Sequence, residues 1–189
     1  MRPVREKNLH LFEHDPAEKL ITEIHRHSIG VLLLLFNAVF LILLVLALLF
    51  YSLRYKETFT DSYDIAAGFD IGVLAVTIAV LLIILIIAGS AIAIYVYTNN
   101  YIIITDQKLI LVSAKNLFAR RVSQLSIGDV QDITVDQLSL LSRIFNYGTI
   151  NIETAGEQAH FTFTMAEGPH ECGKCIVDAH EQNLKLYGN

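Results

Sequence analysis

Residues 71–113 read IGVLAVTIAVLLIILIIAGSAIAIYVYTNNYIIITDQKLILVS, and two periodicities meet inside them. From Ile71 to Thr105 there is no charged side chain over 35 positions. The first part is dense in Leu, Ile, Val and Ala and has no polar face at helical spacing. A helix needs about 20 such residues to cross the hydrocarbon core of a bilayer. Past Asn99-Asn100 the pattern changes. Tyr101–Thr105 is β-branched and aromatic, as strands prefer. Asp106-Gln107 is a tight connection, and Lys108–Ser113 reads as a second strand. Asp-Gln is not the favoured Asp-Gly turn pair. The stretch therefore predicts a membrane helix that runs into a β-hairpin.

Working towards the N-terminus, Ser28–Leu53 is a second uncharged run, 26 residues long. It starts too late and its apolar core is too long for a signal peptide. Two transmembrane helices are predicted, at about 29–51 and 71–97, forming a hairpin over residues 28–97 with a short external linker. Tyr51, Tyr55, Tyr95 and Tyr97 fall near the helix ends, where a ring with a wet hydroxyl suits the headgroup level. Gly89, Ser90 and Ala91 would allow close approach of the first helix, and Asn37 would hydrogen-bond across to the second helix or another subunit. Neither helix holds an Asp, Glu, Lys or Arg, so no proton relay or ion path is visible.

Residues 1–27 form a polar segment. Asp15-Pro16 is a good helix start, and Ile21 and Ile24 would mark a short amphipathic face ending at the membrane. This segment carries five Lys/Arg, at Arg2, Arg5, Lys7, Lys19 and Arg26, while the linker 54–70 carries two, Arg54 and Lys56. Basic residues favour the inner side, so both termini are expected in the cytoplasm, with the protein a multi-pass component of the inner (plasma) membrane.

The whole chain has 189 residues, 53% apolar and 17% charged, against about 25% charged in soluble domains. Its formal charge of -5 argues against a nucleic-acid binder, which needs a basic patch. Two cysteines are too few for a disulfide scaffold.

Towards the C-terminus, Arg121–Leu125 and Val130–Val135 alternate with period two. Leu138, Leu140, Leu141, Ile144 and Phe145 suggest one or two helical turns between strands. Gly148 restarts extended structure through Ile150 and Ile152. Thr154–Glu157 is a turn, and His160, Thr162 and Thr164 alternate with Phe161, Phe163 and Met165. Such alternation suits a sheet with one packed and one wet face. Pro169 can open a last helix, whose Cys172, Cys175, Ile176, Ala179 and Leu184 lie roughly on one face. Residues 98–189 thus form a cytoplasmic domain.

The order of these elements is informative. A helical pair leads to Tyr101–Thr105 and Asp106–Ile110, then Ile127-Gly128-Asp129-Val130, then Leu140–Phe145 and Tyr147-Gly148-Thr149-Ile150. This resembles the bacterial pleckstrin-homology-like domain of membrane-flanked, YdbS-like proteins, over roughly residues 95–185. Gln107-Lys108, and Gly168-Pro169 before the last helix, depart from the usual pattern. The resemblance implies a bent antiparallel β-sheet or barrel capped by a C-terminal α-helix. It also implies a membrane-attached interaction or assembly module, not an enzyme.

Cys172-Gly173-Lys174-Cys175 is the one motif that looks chemical. Such a pair can be a thiol redox couple or half of a metal site, with His170 and His180 as further ligands. No second pair exists, and buried core cysteines are the simpler reading. Lys115, Arg120 and Arg121 form a small basic group suited to anionic lipid, short of the 4–8 cations of a lipid-binding cluster. Asp129, Asp132 and Asp136 would cluster only on a helix, and the segment reads as a strand. His25 and His27 flank Arg26 where helix one would be anchored. No catalytic, cofactor or metal residue is assigned. The expected partner is a membrane or cytoplasmic protein, self included, with anionic lipid as the alternative and no nucleic acid.

Overall fold

A computed structural model describes residues 18–55, 71–154 and 161–187. The expected helix start at Asp15-Pro16, the linker beyond Tyr55, the turn at 155–157 and His160 lie outside them. The chain forms two compact units, one of residues 31–94 and one of residues 1–30 with 95–189.

The first unit holds most of two helices, α1 (Ile29–Arg54) and α2 (Ile71–Thr98). Both are long and apolar enough to cross a membrane, with mean hydropathies of 3.2 and 3.0. At 1.5 Å per residue, α1 extends about 39 Å, against about 30 Å of hydrocarbon. Their apolar side chains point outwards all round, and only Ala38 and Ala79 are buried among the described residues of this unit. A core helix of a soluble protein would be mostly buried. The hydroxyls of Thr77 and Ser90 donate to Val73 and Ile86 carbonyls of their own helix, so they are satisfied without a partner helix. The close approach expected at Gly89 is not made. A Cβ there would meet nothing within 4 Å, and Asn37 is exposed.

The second unit is a β-sandwich. Strand β1 (Leu20–His25) lies before α1. After α2 come β2 (Tyr101–Thr105), β3 (Lys108–Ala114), β4 (Arg120–Ser126) and a 3₁₀ turn at Ile127–Asp129. Then follow β5 (Val130–Asp136), a short helix α3 (Leu140–Ile144), β6 (Tyr147–Thr154), β7 (Phe161–Glu167) and α4 (Pro169–Tyr187). The strands form two antiparallel sheets, ordered β1-β2-β3-β4 and β5-β6-β7. The barrel alternative is corrected: the sheets stay separate, joined at one corner by a bridge between Arg26 and Ala166 and by His27 N donating to Met165 O at 2.6 Å. Met165 takes a positive φ of 60°, where β7 bends to make that contact.

The core lies between the sheets. Ile24, Ile102 and Ile104 meet Ile150, Ile152 and Phe163, and Cys172, Ile176 and Ala179 of α4 close the open side. Tyr101, Ile103, Ile110 and Val112 form a second buried cluster on the other face of the first sheet. With both faces of β2 buried, its sequence reads as one continuous apolar run.

The helix expected over Ile21 and Ile24 is a strand instead. His25 pairs with Tyr101 and Leu20 with Thr105. The sandwich therefore begins before the apolar helices, and the helix pair is an insertion in its β1–β2 connection. Local devices fix the points of departure. His27 Nδ1 accepts from Ile29 N at 3.1 Å, which caps α1. Tyr97 donates its hydroxyl to His27 O at 2.8 Å and lies over Gly30, where any Cβ would strike the ring.

Candidate functional site

The Cys172–Cys175 motif opens α4 from within the core. Both thiols are free. Cys172 is buried and donates from Sγ to Glu167 O at 3.1 Å. Burial, with a smaller contribution from Cys175, pushes its pKa up to about 11; burial also raises that of Cys175. A nucleophilic or redox thiol needs the opposite shift. Because the folded pKa lies above the ordinary value of 9.0, the stability tied to this proton is present below pH 9 and is lost as pH rises towards 11. At neutral pH, alkylation should modify the half-buried Cys175 first and reach Cys172 only on unfolding. A Cys172 that reacts as fast as a free thiol would contradict this burial.

The histidines beside the motif do not converge on it. His170 is exposed. His180 Nδ1 lies 2.7 Å from Ile127 O and donates to it, since a carbonyl only accepts. Asn183 donates to Asp106 O at 2.8 Å. These bonds pin α4 to the 3₁₀ turn and the β2–β3 turn. Among the described residues, no group of three His, Cys, Asp or Glu is placed to hold a metal ion. Asp132 and Asp136 sit on strand β5, about 13 Å apart by strand rise, and accept from Ile133 N and Asn151 Nδ2.

The basic group surrounds the β3–β4 turn. Lys115, Arg120 and Arg121 are all exposed. The turn is rigidly made: Lys115 N donates to Ala119 O at 2.9 Å, and Asn116 Oδ1 accepts from Phe118 N and Ala119 N at 3.0 and 2.6 Å. This Asx-type closure projects Leu117 and Phe118, and Phe118 is 97% exposed. Arg120 lies over the Tyr101 ring, 5.9 Å from its centroid. Sequence reading found the cations and passed over the apolar tip between them.

A second apolar tip occurs on the other sheet. Helix α3 is started by a reciprocal cap, with Ser139 Oγ accepting from Ser142 N at 3.0 Å and Ser142 Oγ from Ser139 N at 3.1 Å. Asn146, at a φ of 52°, ends it. This single turn turns its apolar side chains away from the core: Leu138 is 93%, Leu140 78% and Ile144 73% exposed. Arg143 is exposed on the same turn. Apolar side chains exposed side by side are uncommon on a surface that faces water alone.

Between β1, α3 and the start of α4 is a pocket of about 230 Å³, with His25, His27, Asn146, Glu167 and Glu171 in its wall. Glu23 is buried, with its carboxylate 3.3 Å from His25 Nε2. Beside it, Arg26 stacks over the Tyr97 and Phe163 rings at 5.3 and 5.8 Å. Burial lowers the Arg26 pKa, opposed by Tyr97. The Arg26 side chain thus joins the two sheets at the corner where the chain departs for α1.

The family model for the bacterial PH domain matches residues 63–171. It starts further N-terminal than the resemblance read from 95–185 and takes in α2. A search of solved structures finds the crystal structure of a DUF1696 family protein with a pleckstrin-homology domain from Shewanella loihica PV-4. That protein is 15% identical, with a TM-score of 0.33, over 43% of this chain and 70% of its own. Among curated proteins nothing matches.

Proposed function

From the premise that the chain belongs to the bacterial PH domain family, we propose that it is a membrane-anchored, non-enzymatic interaction or assembly module. The observation that carries this reading is the placement of the apolar helix pair inside the β1–β2 connection. A tail anchor would leave the domain swinging on a linker. Here one end of the anchor leaves the sandwich through the capped His27 and the other returns through Tyr97, hydrogen-bonded to it. A domain tethered at two points of its chain suits assembly with another membrane-associated protein or a second copy. The excess of basic residues in 1–27 over the linker supports a cytoplasmic domain.

Photo-crosslinkers at Thr162 and Thr164, exposed on β7, test this in native membranes. A discrete crosslinked species that recurs between preparations and disappears on competition by untagged protein is expected. A chain that stays monomeric at every position would overturn the reading.

A second reading is anionic-lipid recognition by the same domain. It is favoured by Lys115, Arg120 and Arg121, which lie at the end of the first sheet next to Asn100.

A further inference from the structure

The β3–β4 turn and α3 belong to different sheets, yet both lie at the end of the sandwich where the chain departs for α1 and returns from α2. On the first sheet, Asn100 follows α2 by two residues, and its Oδ1 accepts from Ala114 N, the last residue of β3, at 2.7 Å. On the second sheet, the ring of His27, two residues before α1, lies 5.8 Å from that of Tyr147, just past α3. Each tip is apolar, and each is held by side-chain to backbone bonds, so neither is a loose loop. The cations also gather here. Arg143 joins Lys115, Arg120 and Arg121, which brings the group to four, the lower bound for a lipid-binding cluster. Of the carboxylates at this end, Glu23 is buried, Asp136 is half-buried and accepts from Asn151 Nδ2 at 3.0 Å, and Glu167 and Glu171 are exposed in the wall of the pocket beside Asn146.

We propose that the two tips form one membrane-contact surface, in which Leu117 and Phe118 from one sheet and Leu138, Leu140 and Ile144 from the other enter the headgroup boundary. Apolar and aromatic side chains flanked by Lys and Arg are the composition of interfacial segments, which bury their apolar side at that depth. The four cations then face anionic headgroups. The charge half of this inference rests on the lipid reading above; the insertion half does not.

The chain contains no tryptophan, so a single introduced Trp is a clean reporter. Phe118→Trp and Leu140→Trp place it on the two tips. Ser126→Trp, exposed at the other end of β4, is the control. The full chain is reconstituted into nanodiscs of neutral or anionic phospholipid, with and without brominated acyl chains. Both tip reporters should emit at shorter wavelength and be quenched by bromine, more so in anionic lipid, while the control stays solvent-like. Equal quenching in neutral and anionic lipid upholds insertion and removes charge recognition. An anionic-lipid response without quenching keeps lipid recognition and overturns insertion. Tip reporters that are blue-shifted yet unquenched overturn it in favour of a protein contact.

Discussion

Gly148→Ala is expected to cost the domain about 3 kcal/mol, the upper part of the range for overpacking a core. Gly148 is buried in β6, paired with Ala166. A Cβ there would lie 2.6 Å from Asp136 O, 2.9 Å from Pro169 Cγ and 3.0 Å from Gln137 Cγ. The nearest of these is a backbone oxygen at the end of β5, and Asp136 is itself paired with Thr149. It cannot retreat without opening the β5–β6 ladder. Pro169 is the first residue of α4 and has no rotamer to give. The strain therefore falls on the junction of both β5 and α4 with β6. The corresponding fall in Tm is roughly 15 °C. Gly128→Ala is the matched control, because its Cβ would sit at an ordinary 3.4 Å from Asn183 Oδ1. Thermal unfolding of the full chain in detergent, followed through protease resistance of the sandwich, reads both. Equal melting of the two variants would mean that the β5–α4 junction yields more than its packing implies.

What was legible in the sequence depended on how local the cause was. The apolar helices, the β2–β3 pair and the apolar face of α4 each carry their reason within a few residues. The uncharged runs, the β-branched Ile102–Ile104 and the spacing of Cys172, Ile176 and Ala179 are such reasons. Strand β1 carries no such signal. It has Glu23 in a buried position and a register shift between Leu20 and Thr22, so period two is broken. Its only reason to be extended is β2, which lies across the whole helix pair in sequence. The same separation hid the candidate site. The cations at 115–121 were readable, but Arg143 and the α3 tip come to the same end of the sandwich only through the joining of two sheets. The Cys172–Cys175 motif shows the reverse: a clear local pattern whose meaning is set by burial, which spacing does not report.

The strand and helix readings of residues 20–25 make opposite demands on two isoleucines, and Ile24→Asp against Ile21→Asp separates them. On a helix, positions three apart share a face, and both substitutions would be felt alike. On the observed strand, Ile21 is 40% exposed, whereas Ile24 is 3% exposed within the core beside Ile102 and Phe163. Ile24→Asp removes a core side chain and places a carboxylate among apolar neighbours, a loss of about 4 kcal/mol or more. Ile21→Asp should stay within about 1 kcal/mol of the parent. Hydrogen exchange locates the damage. If β1 detaches from the edge of its sheet, the β2 amides that bond to it lose protection first, and those shared by β3 and β4 persist longer. The order matters for function, because β1 is the strand that leads into α1. A domain that loses β1 keeps its tether through α2 but gives up the bridge from Arg26 to Ala166 and the bond from His27 to Met165. The α3 tip then loses its link to the point where the chain departs for α1. Ile24→Asp should accordingly abolish lipid quenching at Leu140→Trp while that at Phe118→Trp, on the sheet that follows α2, is retained for as long as β2–β4 stay paired.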